Sequence, residues 1–150
     1  MESGEFKECV SSRGLKKTVV DAAVCLAELD VADGDLKLAR TSLASGSAGW
    51  AVVQCYYACF HAARALVMSE GFVEKSHRCL SIAFRDLFER EKLVEQGSAN
   101  FLDEMRQMRE EFNYGLKQIS PQETLQIIGR VEGFVAQARN ALGASSRLKK

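Results

Sequence analysis

Apolar positions recur at helical spacing along nearly the whole chain. The series Leu15, Val19, Ala22, Leu26 and Leu29 marks one face of a first helix, and Leu36, Ala39 and Leu43 extend it beyond Asp33-Gly34, a pair that predicts a kink or a split. A Ser-Gly-Ser-Ala-Gly loop at 45–49 leads into a second helix from Trp50 to about Glu70, with Gly71 as its left-handed cap. A third helix is predicted from Ser76 through Leu80, Phe84, Leu87 and Phe88. A fourth runs from Ser98 to about Lys117, with Phe101, Met105, Met108, Phe112 and Leu116 on its buried stripe. The fifth begins at Ser120-Pro121-Gln122-Glu123, a capping box with proline in the first helical position. Its core stripe is Leu125, Ile128, Val131, Val135, Ala138 and Leu142. No strand pattern survives beside these, so the expected fold is all-α, a five-helix up-and-down bundle. Residues 14–143 form the expected helical domain, between a flexible N-terminal segment, 1–13, and a basic C-terminal tail, 144–150.

Composition narrows the function classes. At 47% hydrophobic and 27% charged residues, the 150-residue chain lies outside the disordered regime. Twenty basic residues balance twenty acidic ones, so any contact with nucleic acid must come from a local patch and not from a global field. Met1 to Lys17 contains no apolar run, which predicts neither a signal peptide nor an anchor and places the chain in the cytoplasm. The apolar stretch Ala48 to Met68 carries Gln54, His61 and Arg64, and an arginine at the centre of a lipid-exposed helix costs ~2.5–3.5 kcal/mol, so a membrane span is not expected. Five cysteines, odd in number and without a Cys-x-x-Cys pair, read as reduced core residues.

Absent motifs remove further classes. There is no phosphate-binding Gly-rich loop, no dinucleotide turn, no His-Glu-x-x-His and no nucleophile elbow. Asp30, Asp33 and Asp35 around Gly34 lack the spacing of a calcium loop and read as an exposed turn. Cys55, Cys59 and His61 do not share one helical face, so no metal and no cofactor is expected.

Two polar stripes stand out. Gln54, Tyr57, His61 and Arg64 recur at i, i+3, i+7 and i+10 on the second helix, and must face water, a partner or polar groups of another helix. Arg106, Arg109, Asn113 and Lys117 form a second stripe on the fourth helix. Lys75-Ser76-His77-Arg78 lies where the third helix begins, and free N–H groups and the helix dipole favour an anion there.

The run Tyr56-Tyr57-Ala58-Cys59-Phe60-His61-Ala62-Ala63-Arg64-Ala65-Leu66, followed by Gly71, by Lys75-Ser76-His77-Arg78 and by Arg-Glu-Glu-Phe-Asn-Tyr-Gly at 109–115, resembles the small prokaryotic HEPN (higher-eukaryote and prokaryote nucleotide-binding) domain family. The likeness covers roughly Asp33 to Leu142. It implies a five-helix domain that usually forms a homodimer through its central helices. Many such relatives are encoded beside a small nucleotidyltransferase as a toxin-antitoxin pair. Others are RNases whose Arg-x(4 to 6)-His motif on helix four is duplicated across the dimer and converges on one RNA phosphate.

This chain departs from the nuclease branch. Five residues beyond Arg109 stands Tyr114, preceded by Asn113, and no histidine follows. An ordinary tyrosine is only ~0.1% ionised at neutral pH and makes a poor base. Some nuclease relatives carry a nucleotide-accepting tyrosine where Leu116 stands here. The resemblance therefore implies a nucleotide- or RNA-phosphate-binding partner of a nucleotidyltransferase. In it Arg109 clamps phosphate, Asn113 and Tyr114 contact base or ribose, Tyr57 and His61 wall the groove, and Lys75, His77 and Arg78 form a second anion site. Two other readings stand beside it: a metal-independent RNase toxin using His77 or His61 as base, and a purely structural helical oligomer.

Overall fold

The computed structural model describes residues 2–115 and 117–144. Helix α1 spans Gly4–Ser11, α2 Ala22–Ala44, α3 Ala48–Ser69, α4 His77–Phe84, α5 Ser98–Asn113 and α6 Pro121–Gly143. Six α-helices thus replace the expected five among the described residues. α4 continues as a π-helical turn, Arg85–Glu89, and two short strands, β1 (Leu15–Lys17) and β2 (Phe72–Glu74), pair antiparallel with Leu15 opposite Glu74 and Lys17 opposite Phe72.

α3 is the central element and packs against α2, α4, α5 and α6. It is buried on almost every side because it is built from small and apolar residues: Ala51, Cys55, Ala58, Cys59, Ala62 and Ala65 allow close helix approach, while Val52, Leu66 and Val67 fill the layers between. No helix among the described residues is long and apolar enough to cross a membrane. Gly71, at φ +88°, closes α3 as expected, because a left-handed residue there turns the chain straight into β2.

The first helix begins later than its apolar series suggests. Leu15 belongs to β1, Val19 is fully exposed and Leu26 half-exposed; the buried stripe of α2 is Cys25, Leu29, Ala32, Leu36 and Ala39. Thr18 to Asp21 intervene without helical structure, so the two stretches do not share one helical phase. Nor does Asp33-Gly34 break α2. A mid-helix glycine costs about 1 kcal/mol relative to alanine, and the buried residues on either side, Leu29 and Leu36, hold the helix through it. α5 stops at Asn113 instead of Lys117, and Leu125 of α6 is exposed while the rest of its predicted stripe is buried. The capping box holds: the Glu123 N–H donates to Ser120 Oγ at 3.1 Å, and Ser120 Oγ donates to Glu123 Oε1 at 3.0 Å.

The largest correction concerns residues 1–13, expected as a flexible segment. Gly4–Ser11 is a helix that buries Phe6 and Cys9 and is capped by Ser3, whose Oγ accepts from the Phe6 N–H. The Ser3 N–H donates to Asp86 Oδ2 at 2.7 Å, which gives this buried carboxylate in the π-helical turn a partner 83 residues away. Cys9 and Cys79 are joined in a disulfide, contrary to the reduced reading, whereas Cys25, Cys55 and Cys59 are buried free thiols as expected. Gly14 passes so close to the bridge that a Cβ there would lie 2.5 Å from Cys79 Sγ. Leu116 and the tail beyond Ala144 lie outside the described residues.

A crosslink over 70 residues stabilises by up to about 4 kcal/mol through the unfolded chain. Urea unfolding with and without reductant should show a loss of that order on reduction and in Cys9→Ser, with α2 to α6 still helical by circular dichroism. Equal midpoints in both conditions would show that the bridge does not hold α1.

Candidate functional site

Three helices bring one cluster together: α3 through Tyr56 and Tyr57, α4 through His77, and α5 through Asp103 and Arg109. His77 enters because β2 runs directly into α4. Ser76 is the extended N-cap, with its Oγ accepting from the Cys79 N–H at 3.2 Å, so His77 is the first helical residue and turns inward between α3 and α5. Its side chain is 8% exposed, with Nδ1 3.1 Å from the Tyr56 hydroxyl and Nε2 3.1 Å from Asp103 Oδ1. A carboxylate can only accept, so Nε2 carries a proton toward Asp103, and Nδ1 meets the Tyr56 hydroxyl.

The electrostatics follow from that chain. Burial pushes the Tyr56 hydroxyl up to about 12, against the opposing pull of Arg109 and Arg106. Burial also raises Asp103, but hydrogen bonds from His77 and Ser81, with the charge of Arg106, outweigh it and leave that carboxyl below its usual range.

Arg109 is half-buried against the same rings. Its guanidinium carbon lies 5.2 Å from the Tyr56 ring centre and 6.0 Å from that of Tyr57, and Nη1 is 3.4 Å from the Tyr57 hydroxyl. Such contacts are worth ~0.5–2 kcal/mol and leave the charge uncompensated. Glu110 and Glu111, the adjacent acids, are engaged elsewhere, with Arg106 at 3.7 Å and Lys117 at 3.0 Å. Eight other described arginines each have a carboxylate in ion-pair reach; Arg13 and Arg109 do not. In a chain of balanced charge, an arginine held against aromatic rings without an acid is free to take an external anion.

The other expected site residues divide. Tyr57 joins Arg109. Asn113 ends α5 one turn beyond Arg109 on the same face, and Tyr114, 75% exposed, caps that helix, so both stand in the open next to the cluster. His61 belongs to a different group: its Nδ1 is 2.7 Å from Glu28 Oε2, Arg64 bridges Glu28 at 3.4 Å and Glu74 at 2.8 Å, and Asp35 lies nearby. Gln54 reaches Ser42 Oγ of α2 at 2.7 Å. The predicted stripe on α3 is thus real but serves three neighbours, α2, β2 and α5. Lys75, His77 and Arg78 do not form one anion site: His77 points inward, Arg78 reaches Glu5 at 3.8 Å, and Lys75 borders a cleft beside β1.

Sequence reasoning missed Asp103, because nothing local ties it to a histidine 26 residues away, and it read Tyr56 only as a member of the run that carries the family resemblance, with no role of its own. Among the described residues no three His, Cys, Asp or Glu side chains are grouped to hold a metal ion. A cavity of about 480 Å³ between the start of α5 and α6 lies apart from the cluster; in its wall Gln137 bonds the Glu95 N–H and Ser98, and Arg130 covers the Phe101 ring at 4.3 Å.

Fold and cluster together define a class: a helical domain built round one buried helix, with an arginine, two tyrosines and a histidine gathered where three helices meet. The chain belongs to the HEPN domain family, whose model matches residues 27–141. A UPF0332 protein of Archaeoglobus fulgidus is 34% identical over 89 residues, which is 58% of this chain and 70% of that protein.

Two aspartates should show opposite pH signatures. Asp35 is raised by burial, against the pull of His61, so its contribution is present below the ordinary carboxylate range and is lost as pH rises through the raised value. Asp103 is lowered, so its contribution is present above that range and is lost as pH falls. As pH rises above about 4, Asp35→Asn should therefore gain melting temperature relative to wild type, and as pH falls below about 4 the deficit of Asp103→Asn relative to wild type should shrink. Parallel curves for the two variants would contradict the assignments.

Proposed function

We propose that this HEPN domain protein binds nucleotide or RNA phosphate as a homodimer, with Arg109 as the clamp. The observation that carries the reading is the guanidinium without an acidic partner, held against Tyr56 and Tyr57. A planar fork of donors suits a phosphate, and the adjacent rings, with Asn113 and Tyr114 at the open end of α5, suit a base or ribose. The homodimer is supported by half-exposed Val24, Val31 and Leu38, seven residues apart along α2, and by exposed Trp50 at the start of α3. On the family resemblance alone, the reading extends to a nucleotidyltransferase partner in a toxin-antitoxin-type pair, and to the cytoplasm.

A second reading is favoured by the Asp103–His77–Tyr56 chain, which has the order of a carboxylate–imidazole–hydroxyl relay beside a cation. As a metal-independent RNase, the Tyr56 oxygen takes the proton of a ribose 2′-hydroxyl while its own proton passes to His77 Nδ1. The 2′-oxygen then bonds to phosphorus, the bond to the 5′-oxygen breaks, and the leaving oxygen takes a proton through water from the His77 imidazolium, which restores the starting ring. Tyr56 is only 5% exposed and its hydroxyl is pushed up to about 12, which weighs toward binding over cleavage. His61, tied to Glu28 away from Arg109, is not the base in this reading.

Adenosine nucleotide should raise the melting temperature of the wild type and leave Arg109→Ala unmoved; at a hundred times Kd the stabilisation is about 2.7 kcal/mol. Equal shifts in both proteins would refute the clamp. For the second reading, RNA must be cut in chelator and spared by Tyr56→Phe and His77→Ala. RNA that stays intact through long incubation with wild type removes it.

A further inference from the structure

Arg13, the other arginine without an acidic partner among the described residues, lies at a second place of uncompensated charge. With Lys16, Lys17 and Lys75 it borders an open cleft of about 490 Å³ whose apolar floor is Val10 and Leu15, and no carboxylate is among its lining residues. Lys17 also borders a neighbouring cavity with Glu2 and Glu70, so the charge of the cleft rests on Arg13, Lys16 and Lys75.

The fold builds this convergence from parts far apart in sequence. The Lys75 N–H donates to the Gly14 carbonyl at 2.8 Å, continuing the β1–β2 ladder and fixing Lys75 beside the end of α1. Arg13 follows the C-cap of α1 in the left-handed region, at φ +66°, where glycine or asparagine is at ease and a long side chain is not. Two acids of the adjoining elements are engaged elsewhere: Glu5 by Arg85 at 2.8 Å and Arg78 at 3.8 Å, Glu74 by Arg64 at 2.8 Å. In a chain of formal net charge +0, three mutually repelling cations round one cleft, one of them in a disfavoured backbone conformation, are matched to a polyanion.

The lining states which polyanion. The cleft has no aromatic ring on which a base would stack, and its lysines act as point charges that meet phosphates without reading sequence. Lys75 stands two residues before His77, whose ring contacts Tyr56, the residue Arg109 covers. We propose that this cleft binds the phosphodiester backbone of single-stranded nucleic acid as a second anchoring point for a strand whose phosphate Arg109 holds. In naming that shared strand the inference rests on the function proposed above, while the cleft's own charge stands apart from it.

The test measures fluorescence anisotropy of labelled single strands across a salt series, in wild type and in the triple variant Arg13→Gln, Lys16→Gln, Lys75→Gln. These exposed side chains make no packing contacts of the core, so the variant should melt with the wild type. Its affinity should fall on the order of tenfold or more at low salt, and the slope of log K against log salt should flatten by about 2, some 0.7 for each lost phosphate contact. The loss should be equal for poly-A, poly-U and mixed sequence, and for RNA and DNA. Stabilisation by a mononucleotide should survive in the triple variant. If Arg109→Ala leaves that stabilisation intact while the triple variant loses strand binding, the clamp fails and the cleft stands. An unchanged slope, a wild type that binds no strand, a loss confined to one sequence, or polyglutamate competing as well as RNA at equal charge overturns the proposal; the last result assigns the cleft to an acidic protein.

Discussion

Burial of α3 on nearly all sides constrains everything else, because each polar side chain that helix carries must find a partner on a neighbouring helix or reach solvent between two of them. Tyr56 meets His77 of α4, Tyr57 meets Arg109 of α5, and Gln54, His61 and Arg64 meet α2 and β2. These pairings fix how the outer helices are set around the core. They also place the cluster: His77 is engaged at both ring nitrogens, and the hydroxyl at Nδ1 belongs to the most enclosed helix. The thiols on the same helix follow the same logic, with burial pushing Cys55 up to about 12 and Cys59 well up, so they remain inert packing groups.

Charge is distributed with similar economy. Most arginines are matched by carboxylates, commonly across helices, as with Arg40 and Glu132 or Arg139 and Asp33. Arg109 is matched by aromatic rings and Arg13 by nothing, and both stand near the junction where β2 enters α4. An arginine over two tyrosines is held in position without being neutralised, which is the state a phosphate site needs before its ligand arrives. The enclosed hydroxyl and doubly engaged imidazole beside it are better suited to holding geometry than to exchanging protons with a substrate.

The central and C-terminal helices were legible in the sequence because their signals are local. Gly71 ends α3, Ser120-Pro121 starts α6, and Phe101 and Met105 mark the inner face of α5 at regular spacing. The segment before α2 was not, because its reasons lie far along the chain. Phe6 is buried against Phe72, Cys9 against Cys79, and Ser3 against Asp86; without those partners the segment reads as polar and unstructured. Strands of three residues are too short for alternation to declare itself. At the site, Arg109 and Tyr57 could be singled out as members of polar stripes, whereas the pairing of His77 with Asp103 depends on how α4 is set against α5, which no local spacing encodes.

The central claim is that Arg109 keeps its charge available for an external phosphate. Its most direct measurement is a nitrogen-15 NMR titration of the arginine side-chain Nε–Hε signals with adenosine monophosphate and with inorganic phosphate. The account predicts that the Arg109 signal moves saturably with both, more tightly with the nucleotide, while Arg40, Arg64 and Arg139 stay in place. An Arg109 signal that does not move, or one that moves no more than those paired arginines, contradicts it.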